Sequence, residues 1–244
     1  MIQENINNLI SLWQVAGLSI DSYFENENFN YAVVKNSEWP NRLWFDHDVD
    51  KQSLNEAKEF LSQQSKNLTV PYWDIYNSNS DKLFESTGFK IKFKQIGMSM
   101  QLKNKFNFKK RLTIELVGDE KEAQAWEDIY PDAFGYKISK EILLNTQDKI
   151  DYYLASINDE PIGTAIVYNT GNVSGIHGVG VIPSARRKGY AEEIMKHVLN
   201  ESINACMKFS TLQASDMGKG IYLRLGYSED FVIKNYILEN LNEK

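Results

Sequence analysis

The sequence is poor in the residue types that build disulfides and metal sites. Its 244 residues include one cysteine, Cys206, and three histidines. A single thiol excludes an internal disulfide, and scattered histidines do not give the spacing of a metal-ligand set. Cys206 follows Ala205 at the end of a predicted helix, where we expect a small buried core residue. The sequence therefore predicts no metal centre and no acyl-cysteine chemistry.

Long apolar runs and an excess of positive charge are also missing. No apolar run approaches the roughly 20 residues that span a bilayer. The opening segment MIQENINNLISLWQ has no basic stretch followed by an apolar core. The net charge of −6 excludes the broad basic surface that duplex nucleic acid requires. We therefore expect a cytoplasmic protein with no membrane or nucleic-acid partner, in which any anion is bound locally.

From about residue 112 the sequence alternates clearly between strand and helix patterns. The predicted strands are LTIEL, DYYLASI, IGTAIVYN, VSGIHGVGVI, FSTLQAS and YSEDFVIKNYIL. The predicted helices are EKEAQAWEDIYPDAF, SKEILLNT, the segment after Gly189, and DMGKGIYLRLG, which ends at Gly226. This half therefore reads as a mixed α/β unit.

The first half is less regular. Its predicted helices are NINNLISLWQVAG, SLNEAKEFLSQQ and SDKLFESTG, and its predicted strands are YAVV, RLWF, LTVPYWDIY and FKIKFKQIGMSMQL. The lysine-rich segment at residues 103–111 is the best boundary candidate, although it is also compatible with a solvated strand end. We predict two domains, residues 1–107 and 108–244.

The two halves share a local pattern. FESTGF at residues 84–89 and YLRLGY at residues 222–227 each have two aromatic residues and a glycine at the same spacing. At the same offset of 138 residues, SLNEAKEFL aligns with AEEIMKHVL. The match favours a divergent internal duplication over chance similarity.

One strand-to-helix junction carries the strongest functional signal. In VGVIPSARRKGYAEEIMKHVL, a strand pattern changes to a helix pattern at Gly189. The first amides of a helix have no partners and carry partial positive charge, so they bind anions. Glycine lets a ligand approach the backbone. The cations Arg186, Arg187 and Lys188 precede it. The pattern predicts a pyrophosphate site, whereas the glycine motif alone would more often be an ordinary helix start.

Together with a second motif, this junction resembles the GNAT superfamily of acetyl-CoA-dependent N-acyltransferases. The family signature R/Q-x-x-G-x-G/A is matched by Arg186, Gly189 and Ala191. The second motif is matched within LQASDMGKGIYLRLGY, at Ala214, Ser215, Tyr222, Gly226 and Tyr227. The resemblance covers about residues 112 to 238. It implies the GNAT fold, a central mixed and mostly antiparallel sheet flanked by helices, preceded here by a smaller, degenerate GNAT-like α/β domain.

The resemblance also implies acetyl-CoA as co-substrate and assigns residues to it. The strand would offer backbone bonds to the pantetheine arm and the thioester, and the amides after it would hold the pyrophosphate. Tyr222 would lie near the sulfur and protonate the departing thiolate. The implied coenzyme-binding residues are Val179, Gly180, Val181, Arg186, Arg187, Lys188, Gly189, Tyr190, Ala191 and Ser215.

Amine acylation requires a neutral nucleophile, so a base or a water chain must remove a proton. His177 shares strand parity with Val179 and Val181, which would direct all three toward one cleft. A histidine has a suitable pKa for this role. A bulge near the site would break the parity. Water relayed by other groups is therefore the default acceptor of this proton, and His177 is the candidate side-chain base.

At the 138-residue offset the first half has Asp48, Lys51 and Phe84 where the second half has the motif's arginine, glycine and tyrosine. Carboxylates there would repel a pyrophosphate, and phenylalanine cannot donate a proton. We expect this half to be a scaffold or one wall of the acceptor cleft. Some of its aromatic side chains could line a pocket, among Trp39, Trp44, Tyr72, Trp73 and Tyr76.

The sequence thus predicts an enzyme that transfers acetyl from acetyl-CoA to a primary amine by direct attack in a ternary complex. A non-catalytic acyl-CoA sensor or interaction module, and a nucleotide-binding protein, are the alternatives. The acidic net charge mildly favours a cationic acceptor such as a polyamine, an aminoglycoside or a lysine side chain. Peptide N-termini and amino acids remain equally admissible, so the acceptor is a small-molecule or peptide amine.

Overall fold

A computed structural model describes residues 1–239 of the chain, so the last five residues of the predicted second domain lie outside the described residues. The helices are α1 (Ile2–Leu18), α2 (Lys51–Ser62), α3 (Ser80–Thr87), α4 (Glu120–Phe134), α5 (Lys140–Thr146), α6 (Tyr190–Asn204) and α7 (Lys219–Leu225). The strands are β1 (Tyr23–Glu25), β2 (Asn30–Ala32), β3 (Arg42–Trp44), β4 (Val70–Asp74), β5 (Phe89–Gln101), β6 (Thr113–Leu116), β7 (Asp151–Ile157), β8 (Glu160–Thr170), β9 (Val173–Val181), β10 (Phe209–Ala214) and β11 (Ser228–Leu238).

The strands form two sheets. A large sheet has the order β4-β11-β5-β10-β9-β8-β7-β6, and a small sheet has the order β1-β2-β3. Within the large sheet β9 and β10 are parallel, whereas the other neighbouring pairs are antiparallel. The predicted fold class, a mixed and mostly antiparallel sheet flanked by helices, is confirmed.

The helices cover both faces of the large sheet because each presents an apolar stripe. On one face α1, α4 and α5 enclose a core that includes Trp13, Trp126 and Tyr130. On the other face α6 packs through Ile194 and Val198. A third cluster joins α2 and α3 to the small sheet and to β4 and β11. The candidate functional site described below lies at the C-terminal end of β9, between the face covered by α1, α4 and α5 and the face covered by α6.

Pairing in the middle of the large sheet follows the offset seen in the sequence. Ile233 of β11 lies opposite Gln95 of β5, 138 positions earlier. The offset also relates two neighbouring pairs, because residue 232 minus 138 is 94 and residue 96 plus 138 is 234. The two pairs, Val232–Ile96 and Lys234–Lys94, are both present. The helices α3 and α7 both end at glycines with left-handed φ angles. This symmetry favours an internal duplication, which stays a prediction.

The first half contributes to the sheet of the second half. β5 lies between β10 and β11 and pairs with both. The connection at residues 103–111 has no strand beyond β5 and is held on α6, where Asn200 Oδ1 accepts from the Phe106 amide at 2.7 Å. The division into domains 1–107 and 108–244 stays a prediction.

Cys206 differs from its expected place. The residue lies just beyond α6 with a φ angle of 61°, and its side chain is exposed. The expectation of a buried core residue is wrong because the helix ends at Asn204, so Cys206 is in the following turn.

Candidate active site

A gap opens in the large sheet between β9 and β10. The two parallel strands pair from Val173 to Gly175 on β9 and from Phe209 to Thr211 on β10. β9 then continues to Val181 and β10 to Ala214 without further pairing to each other in the described part of the chain. Diverging strands leave backbone donors and acceptors available to a ligand. The gap opens into a cavity of about 1670 Å³.

The junction after β9 presents a row of free backbone amides. A 3-10 turn at Pro183–Ala185 leads to Arg187 and Gly189, whose φ angles are 63° and 79°. Gly189 is the N-cap of α6. Within residues 1–239, the amides of residues 187–192 have no hydrogen-bond partner, whereas the Glu193 amide donates to the Gly189 carbonyl. The left-handed residues turn these donors toward one region, as an anion site requires.

The Arg186 side chain has a different place from the one expected. Its Nε donates to the Val181 carbonyl at 3.1 Å, and Nη2 donates to the Ala133 carbonyl at 3.2 Å. Ala133 is in the last turn of α4, where unpaired carbonyls favour a cation. The sequence predicted that Arg186 adds an unpaired positive charge beside the pyrophosphate-binding amides. Its guanidinium instead connects the turn to the end of α4. The side chains of Arg187 and Lys188 are exposed.

Arg111 supports the same turn from outside, and sequence reasoning missed it. Its Nη1 donates to the Lys188 carbonyl at 2.8 Å, and its Nε pairs with Glu193 at 2.8 Å. Glu193 is 3% exposed and also accepts from the backbone amides of Arg111 and Leu112. The guanidinium lies 4.8 Å from the centre of the Tyr190 ring. No local pattern marks Arg111, because its partners are about 80 residues away in the chain.

Tyr222 and Ser215 meet on the other side of the gap. The Gly218 amide donates to Ser215 Oγ at 3.2 Å. A Cβ atom at Gly218 would lie 3.3 Å from the Tyr222 ring, so the glycine makes room for the tyrosine. Burial raises the pKa of Tyr222 to about 12, and no hydrogen bond to its hydroxyl is found within residues 1–239. Tyr222 therefore carries a proton at neutral pH and lines the cavity.

Glycine at 180 is required by packing. A Cβ atom there would lie 2.5 Å from the Phe134 ring and 3.0 Å from the Ala133 Cβ. The end of α4 thus rests directly on β9. The neighbouring Val179 and Val181 pack toward α6 on the opposite face of the sheet.

His177 does not share that face. The register of β8 and β9 shifts between Thr164–Gly180 and Ile166–His177, which is a β-bulge, and Gly178 there has a φ angle of 54°. The bulge directs His177 toward α1, whereas Val179 packs toward α6. The parity argument is therefore wrong, because an extra residue reverses the alternation.

Both ring nitrogens of His177 lie close to an amide oxygen, and the neutral ring can donate to only one of the two. Nδ1 lies 3.0 Å from Gln213 Oε1, and Nε2 lies 3.2 Å from Asn8 Oδ1. The amide nitrogens of Gln213 and Asn8 donate elsewhere, to Asn5 Oδ1 and to the Tyr168 carbonyl, which fixes their orientations. Burial lowers the pKa of His177 to about 4, although the Gln213 contact acts in the opposite direction. His177 thus lines the cavity wall without offering a free nitrogen to it.

The cavity extends to the first half of the chain. Trp39 lines it together with Trp13 and Arg42, which the sequence did not single out. Trp44 and Trp73 are instead fully covered core residues. The first half therefore forms one wall of the cavity.

Two other kinds of site are absent from the described part of the chain. No group of three or more His, Cys, Asp and Glu residues is placed there to hold a metal ion. Within residues 1–239, no helix combines the length and the apolar character needed to cross a membrane.

Comparison with known proteins agrees with this geometry. Residues 118–227 match the model of the acetyltransferase (GNAT) family. No curated protein sequence matches the chain. A GCN5-related N-acetyltransferase from Kribbella flavida superposes with a TM-score of 0.73 at 17% identity, covering 96% of this chain and 95% of that one.

Two further solved structures have the same fold. A putative GNAT-family acetyltransferase from Novosphingobium aromaticivorans has a TM-score of 0.61 at 10% identity, covering 93% of this chain and 95% of that one. A GCN5-related N-acetyltransferase from Sphaerobacter thermophilus has a TM-score of 0.60 at 18% identity, covering 76% and 64%. Likeness at these identities shows the GNAT fold over most of the chain. Residues 118–227 are therefore similar to the GNAT family of acetyltransferases, and the chain as a whole has the GNAT fold.

Proposed function

We propose that the protein transfers an acetyl group from acetyl-CoA to a primary amine bound in the same cavity. One observation carries this proposal. The free amides of residues 187–192 and the unpartnered Tyr222 hydroxyl lie on opposite sides of the gap between β9 and β10. A diphosphate and a thioester sulfur, at the two ends of one extended molecule, match these two features.

The coenzyme would be held mainly by the backbone. The pyrophosphate oxygens accept from the amides at the start of α6, where the helix dipole adds favourable charge. Arg111 and Arg186 keep the turn in place through the Lys188 and Val181 carbonyls. The pantetheine arm lies along the unpaired edge of β9, and Ser215 lies beside it near Tyr222.

The reaction proceeds by direct attack. The amine lone pair forms a bond to the thioester carbon, and the carbon–sulfur bond then breaks. Tyr222 donates its proton to the departing thiolate, and the proton lost from the amine nitrogen restores the phenol through solvent. The amine starts as an ammonium ion, so one further proton is released to water for each acetyl transferred.

Water is the proposed acceptor of the amine's proton. Both ring nitrogens of His177 face amide oxygens of Gln213 and Asn8 rather than the cavity, and its pKa of about 4 makes it a weak base. Its proposed role is to position β9, β10 and α1 relative to one another. The rate then depends mainly on orientation of the two substrates and on proton transfer at sulfur.

The test is a screen for thiol release from acetyl-CoA with a panel of primary amines, against a control without amine. We expect thiol release together with an N-acetylated product detected by mass spectrometry for at least one amine class. Coenzyme binding without any product would favour the alternative, a non-catalytic acyl-CoA-binding module. Equal competition by ATP and coenzyme A would favour a nucleotide site.

A further inference from the structure

We propose that the acceptor amine also carries a carboxylate, which Arg42 binds at the first-half end of the cavity. The inference rests on the proposed function and names the substrate class for it. It concerns a part of the cavity that the GNAT motifs do not reach, since Arg42 lies on β3 of the small sheet.

Arg42 is a cation without a counter-ion. It lines the cavity and is largely covered by protein. Its Nε is buried and has no hydrogen-bond partner, and no carboxylate within residues 1–239 forms an ion pair with its guanidinium. Its guanidinium carbon lies over the Trp13 ring, 4.7 Å from the ring centre.

An unpaired buried cation is unfavourable for folding alone. Burial lowers the pKa of Arg42, which reflects the cost of keeping its charge out of water. An unpaired buried charge of this kind is typical of functional sites, where a bound ligand supplies the opposite charge. A guanidinium presents parallel donors that match a carboxylate in a bidentate manner.

Two phenols complete the pocket. The hydroxyls of Tyr130 and Tyr136 lie 2.8 Å apart, and both residues line the same cavity. Arg42 lines that cavity with them; burial raises the pKa of both phenols, and the Arg42 charge opposes that rise. Only one of the two protons is used in the mutual hydrogen bond, so the other can be donated to a ligand oxygen.

We take the ligand group to be a carboxylate. Among the described residues, Arg42 is the cavity-lining cation with a buried nitrogen that lacks a partner, and one carboxylate neutralises its charge, whereas a phosphate dianion would also draw on the exposed lysines of the rim. At the rim, the cavity is lined by Lys92 and Lys94 of β5, and only Glu38 and Glu192 among its lining residues are acidic. The local charge is therefore positive although the chain is acidic overall. An amino acid, one of the acceptors that the sequence left equally admissible, fits this local charge.

The proposed acceptor pocket and the proposed coenzyme site belong to the same cavity. Arg42, Tyr222 and Gly189 line the same continuous cavity. An amine whose carboxylate is held by Arg42 can therefore be presented toward the thioester. Amino acids and other amino-carboxylates are the class that meets this requirement.

The experiment compares matched acceptors in the thiol-release assay with the full chain. Each amino acid is tested beside its amide and its decarboxylated amine, and an aminoalkyl phosphate series is added. We expect the acids to have the highest kcat/KM. Arg42→Gln should lower kcat/KM for the acid about 10- to 100-fold, mainly through KM, and leave the amide nearly unchanged. Lys82→Gln, which removes an exposed charge on α3 outside the cavity, should change either substrate less than about twofold.

Each other outcome is informative. Amides or phosphates used better than acids would overturn the carboxylate assignment, and their turnover would still uphold acetyl transfer. Equal loss of both substrates in Arg42→Gln would make Arg42 merely structural. If no amine is turned over, tryptophan fluorescence of the free protein decides. Saturable quenching by amino acids, lost in Arg42→Gln and absent with the amides, supports the proposal, and no quenching overturns it.

Discussion

At the scale of single residues, the Tyr222 hydroxyl is the group on which the chemistry depends. Tyr222→Phe keeps the ring but removes the proton that the thiolate would receive. We expect kcat to fall about 100-fold or more, with coenzyme A affinity within about twofold of wild type. Stopped-flow thiol release and calorimetry measure the two quantities.

The matched control is Tyr227→Phe. The Tyr227 hydroxyl bonds to Ser210 at 2.6 Å inside the core, and the variant keeps the ring that packs edge-on against Tyr222. This variant should lose stability and keep its kcat. Unchanged turnover in Tyr222→Phe would remove the assigned role of Tyr222.

His177 supports a prediction about pH. Its folded pKa of about 4 lies below its ordinary value of 6.5, so the unfolded chain binds a proton first as pH falls. The stabilisation from neutral His177 is therefore complete above pH 6.5 and is lost between pH 6.5 and 4, by about 3 kcal/mol in total. Urea unfolding of wild type and His177→Gln at pH 7.5 and 4.5 measures it. The advantage of wild type should shrink at the lower pH, and a constant or growing advantage would contradict the account.

At the scale of elements, features that depend on local sequence patterns were predicted better than features that depend on long-range contacts. The helix after Gly189 and the tyrosine on α7 follow from period and motif, and the structure places both at the gap. The bulge at Gly178 was not predictable, because a single extra residue leaves no clear mark on an alternating pattern. Arg111 and Arg42 were missed because their environments arise from segments distant in sequence.

The free amides of residues 187–192, here called the cradle, support a prediction at this scale. Valine at 189 must adopt a left-handed conformation, which costs a non-glycine residue roughly 1–2 kcal/mol, and its Cβ would lie 3.4 Å from Arg111 Nη2. We expect Gly189→Val to weaken coenzyme A binding about tenfold or more. Gly171→Val is the control, because Gly171 lies in the β8–β9 turn with a positive φ angle, and a Cβ atom there would meet no described atom within 4 Å. Equal affinity in the two variants would count against the cradle.

At the scale of the whole molecule, β5 joins the two halves. The sequence predicted a boundary near residue 107 because charge and lysine content change there, but strand order depends on pairings that a pattern does not specify. We predict that residues 108–244 alone do not fold stably, since β10 and β11 would each lose the partner strand between them. Circular dichroism and thermal melting of the fragment test this.

Adding residues 1–107 as a separate chain should restore cooperative melting, because it returns β5. A fragment that melts cooperatively and binds coenzyme A unaided would show that the second half is an independent domain. The same result would remove the first half's proposed contribution to the acceptor pocket.

The most direct measurement is amide NMR of the full chain during titration with acetyl-CoA. The account predicts saturable, one-to-one shifts at the amides of residues 187–192, with slowed hydrogen exchange at the same positions. Saturation that leaves these amides unchanged, or no binding at all, would contradict it.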